Sequence, residues 1–336
     1  MLNIGISRDA LIIREGFGVD SLDDEAGVHW RFLDDDTIEM RPVDIESLDA
    51  LLLGGTKVTS ATLEGNEQLA LITRFGAGYD RVDLEACTNN AVIVANTPLA
   101  VKRPVAAMAA MFILALGHDV ANLDRLVRAG TWPTSEGKRG IGLVGRTLGL
   151  LGLGSIGQEI AKLMAPFDMR VMAYDPYVSP DTASAAGVEL GDLETVLAQA
   201  DFVCVSCTLT DETRNLLNAT TLALMKPTSF VINVARGPII NQQALTEALQ
   251  SRTIRGAGLD VFEAEPIAPD DPLLALDNVI VTPHQACMTD QCSHDIGRQT
   301  MDTALGLRSG KLPDSIINSE VLDDPRLQEK LRRLSG

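Results

Sequence analysis

The tightest constraint on this chain is six residues long: Gly152-Leu153-Gly154-Ser155-Ile156-Gly157. A G-x-G-x-x-G pattern alone is a weak signal, because glycine clusters are common in turns. Here the flanks carry the information. The motif follows an apolar run of strand character at 147–151 and opens a stretch of helical character at 158–164, the setting in which it holds a dinucleotide. Its glycines allow a tight turn, let backbone approach a pyrophosphate, and let helix and strand pack closely. The helix N-terminus then offers unpaired N–H groups and the positive end of a dipole. Eighteen residues past Gly157 stands Asp175, at the end of the apolar run 170–174. A carboxylate there accepts hydrogen bonds from the adenosine ribose hydroxyls and repels the extra phosphate of NADP. Pro176 and Tyr177 follow, with no adjacent arginine, so NAD is the expected cofactor.

Apolar runs alternate with amphipathic stretches along the whole chain, which argues for parallel sheets covered by helices. At 336 residues it is long enough for two domains, given about 150 residues each. Strands are expected at 2–6, 50–53, 70–73 and 92–95, forming one small α/β domain. A helix over 101–116 carries Pro104, which suits a first turn. Six further strands, at 147–151, 170–174, 202–207, 230–233, 256–260 and 279–282, match a doubly wound sheet. From Cys287 the chain reads as helical, breaks at Gly310 and Pro313, and ends in a charged, surface helix over 323–336.

The formal charge is −18, from 46 acidic and 28 basic residues. Such a surface repels phosphate backbones, so no nucleic-acid partner is expected. The longest apolar stretch, 105–117, is short of the roughly 20 residues that span a bilayer, and the N-terminus lacks signal-peptide character, so no membrane partner is expected. Five cysteines, an odd number without small-scaffold spacing, fit reduced thiols in a cytoplasm. Cys204 and Cys207 form a C-x-x-C, but within one strand residues three apart face opposite sides, so core packing rather than metal binding is expected. No metal site is expected elsewhere.

Three segments each end a strand run: Asn233-Val-Ala-Arg236, Asp260-Val-Phe-Glu-Ala-Glu265, and Thr282-Pro-His284. The carboxyl ends of strands are where open α/β sheets bind ligands. A guanidinium there can grip a carboxylate bidentately and polarise the neighbouring carbonyl. An imidazole can give or take the proton that accompanies hydride transfer, and a carboxylate beside it raises its pKa.

With these motifs in order, from Leu51 to Asn318, the chain closely resembles the D-isomer-specific 2-hydroxyacid dehydrogenase family. The resemblance rests on Phe75-Gly-Ala-Gly-Tyr-Asp80, Asn96-Thr-Pro98, the glycine fingerprint and the three segments above. It implies that Arg236 binds the substrate acid, His284 is the acid/base and Glu265 pairs with His284. It places the substrate carboxylate on the backbone of Ala77 and Gly78. It also implies cofactor contacts from Gly152, Gly154, Ser155, Ile156, Gly157, Asp175, Val234, Asp260 and His284, with Asp260 at the nicotinamide carboxamide. The implied architecture is a Rossmann cofactor domain (101–286) inserted into a smaller flavodoxin-like substrate domain (1–100 and 287–336). Family members dimerise through the cofactor domain, including the helix near 105–116 and a loop carrying Trp132. The implied substrate is a small 2-keto or 2-hydroxy acid. Alternatives are a relative acting on phosphite or a sugar acid, and a non-enzymatic NAD(H) sensor of the same fold.

Some positions depart from the family. Ala107 stands where a Glu is frequent, and Ser206 and Thr208 stand where His and Pro are common. Leu53 falls about where many relatives carry an arginine near the substrate, which weakens a phosphorylated substrate, since a phosphate wants a fork of donors. One of Lys102 and Arg103 is instead expected to contact a second acidic or hydroxylated end of the substrate.

Overall fold

The structure, a computed structural model, describes residues 1–8, 14–34, 38–132 and 140–335. It divides into two compact units, Met1–Val101 with Cys287–Gly336, and Lys102–Ala286. The chain therefore passes between units one residue later than the sequence suggests on the first crossing, and at Cys287 on the second.

The first unit holds a five-stranded parallel sheet: β1 (Leu2–Ile6), β2 (Val28–Phe32), β3 (Ala50–Leu53), β4 (Leu71–Arg74) and β5 (Ile93–Ala95), in the order β2-β1-β3-β4-β5. β1, β3, β4 and β5 were legible as apolar runs; parallel strands covered on both faces read that way. β2 was not expected. Its Val-His-Trp-Arg-Phe alternates on an edge that is half open to solvent, so it lacks the buried-strand signature. Leu51, Leu53, Ile72, Val92 and Val94 form the core on one face of the sheet. The last helix, Pro325–Ser335, lies at the surface as its charge suggests, with one stripe turned inward. It buries Leu327, Lys330 and Leu334, and Lys330 Nζ donates to the carbonyls of Leu69, Asn90 and Ala91 at 2.8, 2.8 and 3.1 Å. Burial pushes the Lys330 pKa down to about 8.

The second unit holds seven parallel strands: β6 (Thr147–Leu151), β7 (Arg170–Tyr174), β8 (Glu189–Leu190), β9 (Phe202–Val205), β10 (Phe230–Asn233), β11 (Gly256–Leu259) and β12 (Val279–Val281). Their order, β12-β11-β10-β9-β6-β7-β8, reverses direction at β6, where a doubly wound sheet binds its ligand. β8 is a two-residue exposed extension that no periodicity announces. β9 stops at Val205, so Cys207 lies beyond the strand rather than on it. Burial pushes the Cys204 thiol up to about 12 and the Cys207 thiol up to about 11, so both stay protonated at neutral pH. Among the described residues no cluster of His, Cys, Asp and Glu could hold a metal ion.

The long helix runs Pro98–Gly117, three residues earlier than expected, so Pro104 lies inside it rather than in its first turn. A proline there cannot donate to the carbonyl four residues back. That carbonyl, Ala100, instead accepts the Cys292 thiol at 3.4 Å.

Candidate active site

The fingerprint turn fits a dinucleotide. Gly152 has φ 101, and a Cβ on it would come within 2.6 Å of the Cys207 amide, so only glycine fits. A Cβ on Gly157 would collide with the Gly152 carbonyl, which keeps the helix tight against the turn. At Gly154 nothing lies within 4 Å of where a Cβ would stand, so that side is open. Gly154 caps the Ser155–Met164 helix, and the amides of Ser155, Ile156 and Gly157 meet no acceptor among the described residues. Open space before unpaired helix N–H groups is what a pyrophosphate needs. Asp175 follows β7, the strand beside β6. Its carboxylate accepts the Leu153 amide at 2.8 Å and the Tyr177 amide at 3.0 Å, so it braces the turn. Val234, after β10, is buried.

Arg236, Glu265 and His284 follow β10, β11 and β12, three adjacent strands. Gly237 brings the first two loops together: a Cβ there would overlap the Phe262 carbonyl. Glu265 Oε2 accepts His284 Nδ1 at 2.8 Å, and Glu265 Oε1 accepts the Phe262 amide at 3.0 Å. Burial would raise the Glu265 pKa. The His284 hydrogen bond, the Phe262 amide and the charges of His284 and Arg236 outweigh it, and the carboxyl stays below its ordinary range. The Glu265 hydrogen bond raises the His284 pKa against the opposing effects of burial and Arg236. The Arg236 charge favours the ionised Glu265 and opposes protonation of His284. With Nδ1 committed to Glu265, Nε2 is the nitrogen left for a reacting group.

His284 itself has φ 53, a left-handed conformation unusual for a histidine. Asp260 holds it there. The His284 amide donates to the Asp260 carbonyl at 2.7 Å; Asp260 Oδ1 accepts the Thr282 hydroxyl (2.6 Å) and Gln285 amide (2.8 Å), and Oδ2 the Ala286 amide (2.9 Å). Asp260 was expected from the resemblance only as a nicotinamide contact. Its bracing of the histidine turn was not foreseen, because its partners lie 22 to 26 residues onward.

Lys102 and Arg103 both meet a carboxylate of the chain itself. Arg103 pairs with Glu159 at 2.7 Å and Lys102 with the same carboxylate at 3.4 Å. Glu159 is buried on the fingerprint helix and, with both cations, has its pKa held below the usual range, so the pair fastens two helices rather than waiting for an acid.

In the first unit, Ala77 and Gly78 lie in the loop after β4. Their amides meet no acceptor among the described residues, whereas their carbonyls accept Asn96 Nδ2 (2.7 Å) and Arg74 Nε (2.9 Å). Phe75 stacks on Phe17 with ring centroids 4.5 Å apart, pinning the start of the loop. Leu53 is fully buried.

Residues 110–286 match the family model for the NAD-binding domain of D-isomer-specific 2-hydroxyacid dehydrogenases. A glyoxylate reductase of Korarchaeum cryptofilum is 34% identical over 313 residues, covering 92% of this chain and 92% of that protein. The chain belongs to this family. A D-3-phosphoglycerate dehydrogenase of Methanocaldococcus jannaschii is 38% identical over 292 residues, 86% of this chain, but the match spans only 55% of that longer protein. The D-lactate dehydrogenase of Aquifex aeolicus, solved with NAD and lactic acid, superposes with a TM-score of 0.82 over 94% of this chain and 99% of that one; at 24% identity it speaks for the fold. The family consists of NAD-dependent oxidoreductases acting on the CH–OH group of 2-hydroxy acids, and NAD is the cofactor that the fingerprint turn fits.

Proposed function

We propose that this chain interconverts a small 2-keto acid, of the size of glyoxylate or hydroxypyruvate, and its 2-hydroxy acid. The observation that carries the proposal is the 2.8 Å His284–Glu265 pair within reach of the Arg236 charge. When bound, oxidised NAD would take the hydride from C2 of the hydroxy acid, and NADH would return it to C2 of the keto acid. His284 Nε2 gives a proton to the carbonyl oxygen in reduction and removes it in oxidation. Glu265 keeps the imidazolium populated and fixes its tautomer. Arg236 orients the acid and polarises the carbonyl, and the amides of Ala77 and Gly78 take the carboxylate. Leu53, about where the family resemblance puts an arginine, is buried and offers no donor to a phosphate, which favours a small acid over a phosphorylated one.

Purified protein mixed with NADH and a panel of glyoxylate, hydroxypyruvate, pyruvate and 3-phosphohydroxypyruvate, followed at the nicotinamide absorbance band, tests this. Turnover fastest on the short unphosphorylated acids is expected. Tight NADH binding without turnover on any of them would make the chain a sensor.

A homodimer through the second unit is part of the same reading. Met111, Val120, Val127 and Trp132 expose 40%, 51%, 51% and 82% of their surface, apolar area that a second copy would cover. The remainder of the loop that follows, residues 133–139, lies outside the described residues. Sedimentation at micromolar concentration should give twice the 36.0 kDa chain mass. Five free thiols fit a reducing, cytoplasmic setting.

A further inference from the structure

One buried guanidinium has no part in the chemistry above. Arg74 ends β4 and is 7% exposed. Burying such a charge is costly unless its donors are used. Its Nε donates to the Gly78 carbonyl at 2.9 Å and its Nη1 to the Leu53 carbonyl at 3.3 Å. The side chain thus turns back into the loop that its own strand feeds.

Three successive carbonyls of this loop are held by donors from the ends of β4 and β5. Gly76 accepts the Thr97 amide at 3.0 Å, Ala77 accepts Asn96 Nδ2 at 2.7 Å, and Gly78 accepts Arg74. Asn96 is itself fixed by the Ser315 hydroxyl at 2.6 Å. In a trans peptide the N–H points opposite to the carbonyl of the same plane. Holding the carbonyls of 76, 77 and 78 therefore turns the amides of 77, 78 and 79 away from those donors. The Tyr79 amide, like those of Ala77 and Gly78, meets no acceptor among the described residues.

We propose that Arg74 is a positioning residue that sets the Tyr79 peptide plane, adding a third amide to those of Ala77 and Gly78 in a cradle for the substrate carboxylate. This rests on the proposed reaction for the identity of the acid, while the cradle itself can be probed without turnover. Successive backbone N–H groups form a concavity for an anion. The guanidinium polarises the last peptide from behind without touching the ligand.

The chain has three tyrosines, so protein labelled with 15N-tyrosine shows three backbone amide signals, and Tyr79→Phe identifies the one that matters. Titration with oxamate, an unreactive carboxylate, in the presence of NADH should shift the Tyr79 signal strongly. In Arg74→Met that shift should be lost, and KM for glyoxylate should rise about tenfold with little change in kcat or NADH affinity, the loss expected for one hydrogen bond to a charged group. Arg74→Lys should recover part of the KM. A Tyr79 signal unmoved by saturating oxamate in the unaltered protein, or an unchanged KM in both variants, would overturn the proposal. Should Arg74→Met not fold, the labelled unaltered protein and Arg74→Lys still decide. Absence of turnover on any keto acid would remove the reaction while leaving the oxamate shift to be read on its own.

Discussion

The two units present reactive groups at the same place, the carboxyl ends of parallel strands, but build them from different parts of the residue. In the second unit the proposed working groups are side chains: an imidazole, a carboxylate and a guanidinium that follow β12, β11 and β10. In the first they are peptide N–H groups, and side chains only steer them. A group made of side chain is lost with a single substitution. A group made of backbone survives substitution of its own residue and fails only when its steering partners change.

The sharpest way to break this contrast is to truncate one residue on each side. His284→Ala should lower turnover about a thousandfold while NADH still binds, since general acid–base catalysis contributes 10²–10⁴. Ala77→Gly, which leaves the amide in place, should change KM by no more than about threefold. A large loss from Ala77→Gly in steady-state assays would show that its methyl group matters and end the distinction.

Next in size is a stability effect confined to the first unit. Lys330→Met removes the donors of three carbonyls, and leaving buried acceptors unmet costs about 1–3 kcal/mol each at most, so a loss of about 3 kcal/mol is expected in urea unfolding. An unchanged midpoint would mean that water replaces the ammonium. The pH sense is also fixed. Because the native pKa is depressed to about 8, folding disfavours the charged form, and stability should rise with pH from about 8 toward the unfolded value near 10.4.

A smaller effect separates the two partners of the catalytic pair. Glu265 raises the His284 pKa, so the imidazolium that donates in reduction persists to higher pH than an unpaired histidine would allow. In Glu265→Gln that support goes, and the alkaline limb of the reduction profile should move toward acid. The acid limb of oxidation, which needs the neutral ring, should move the same way. A profile that stays put would assign the limb to another group.

Smallest of all is Arg103→Ala. Its partly exposed pair with Glu159 should be worth about 0.5 kcal/mol, with KM unchanged for one-ended and two-ended acids alike. A selective rise for two-ended acids would return Arg103 to the substrate.

How far this was legible in the sequence follows from what each feature depends on. β6 and β10 were placed to the residue because fully covered parallel strands read as apolar runs, and β7 because its buried Val171, Met172 and Ala173 do. The glycine turn and the order of Arg236, Glu265 and His284 were equally plain, because each is a short local pattern. The final helix was legible as a charged surface element, but the burial of Lys330 between Leu327 and Leu334 was not, because the carbonyls that accept it come from 69, 90 and 91. The pairing of Arg103 with Glu159 was hidden for the same reason: its partner lies on another helix, 56 residues away in sequence. The steering of Ala77 and Gly78 depends on peptide-plane orientation, which no residue type encodes.

The thiol that completes the proline-interrupted helix carries a practical consequence for anyone preparing a cysteine-free version for labelling. Of the five sulfurs, the one at 292 serves as a hydrogen donor to a main-chain oxygen that its own helix cannot satisfy. Serine at that place keeps a donor, whereas alanine or valine leaves the oxygen unmated in a dry interior, so exchange there should be made last and with a hydroxyl.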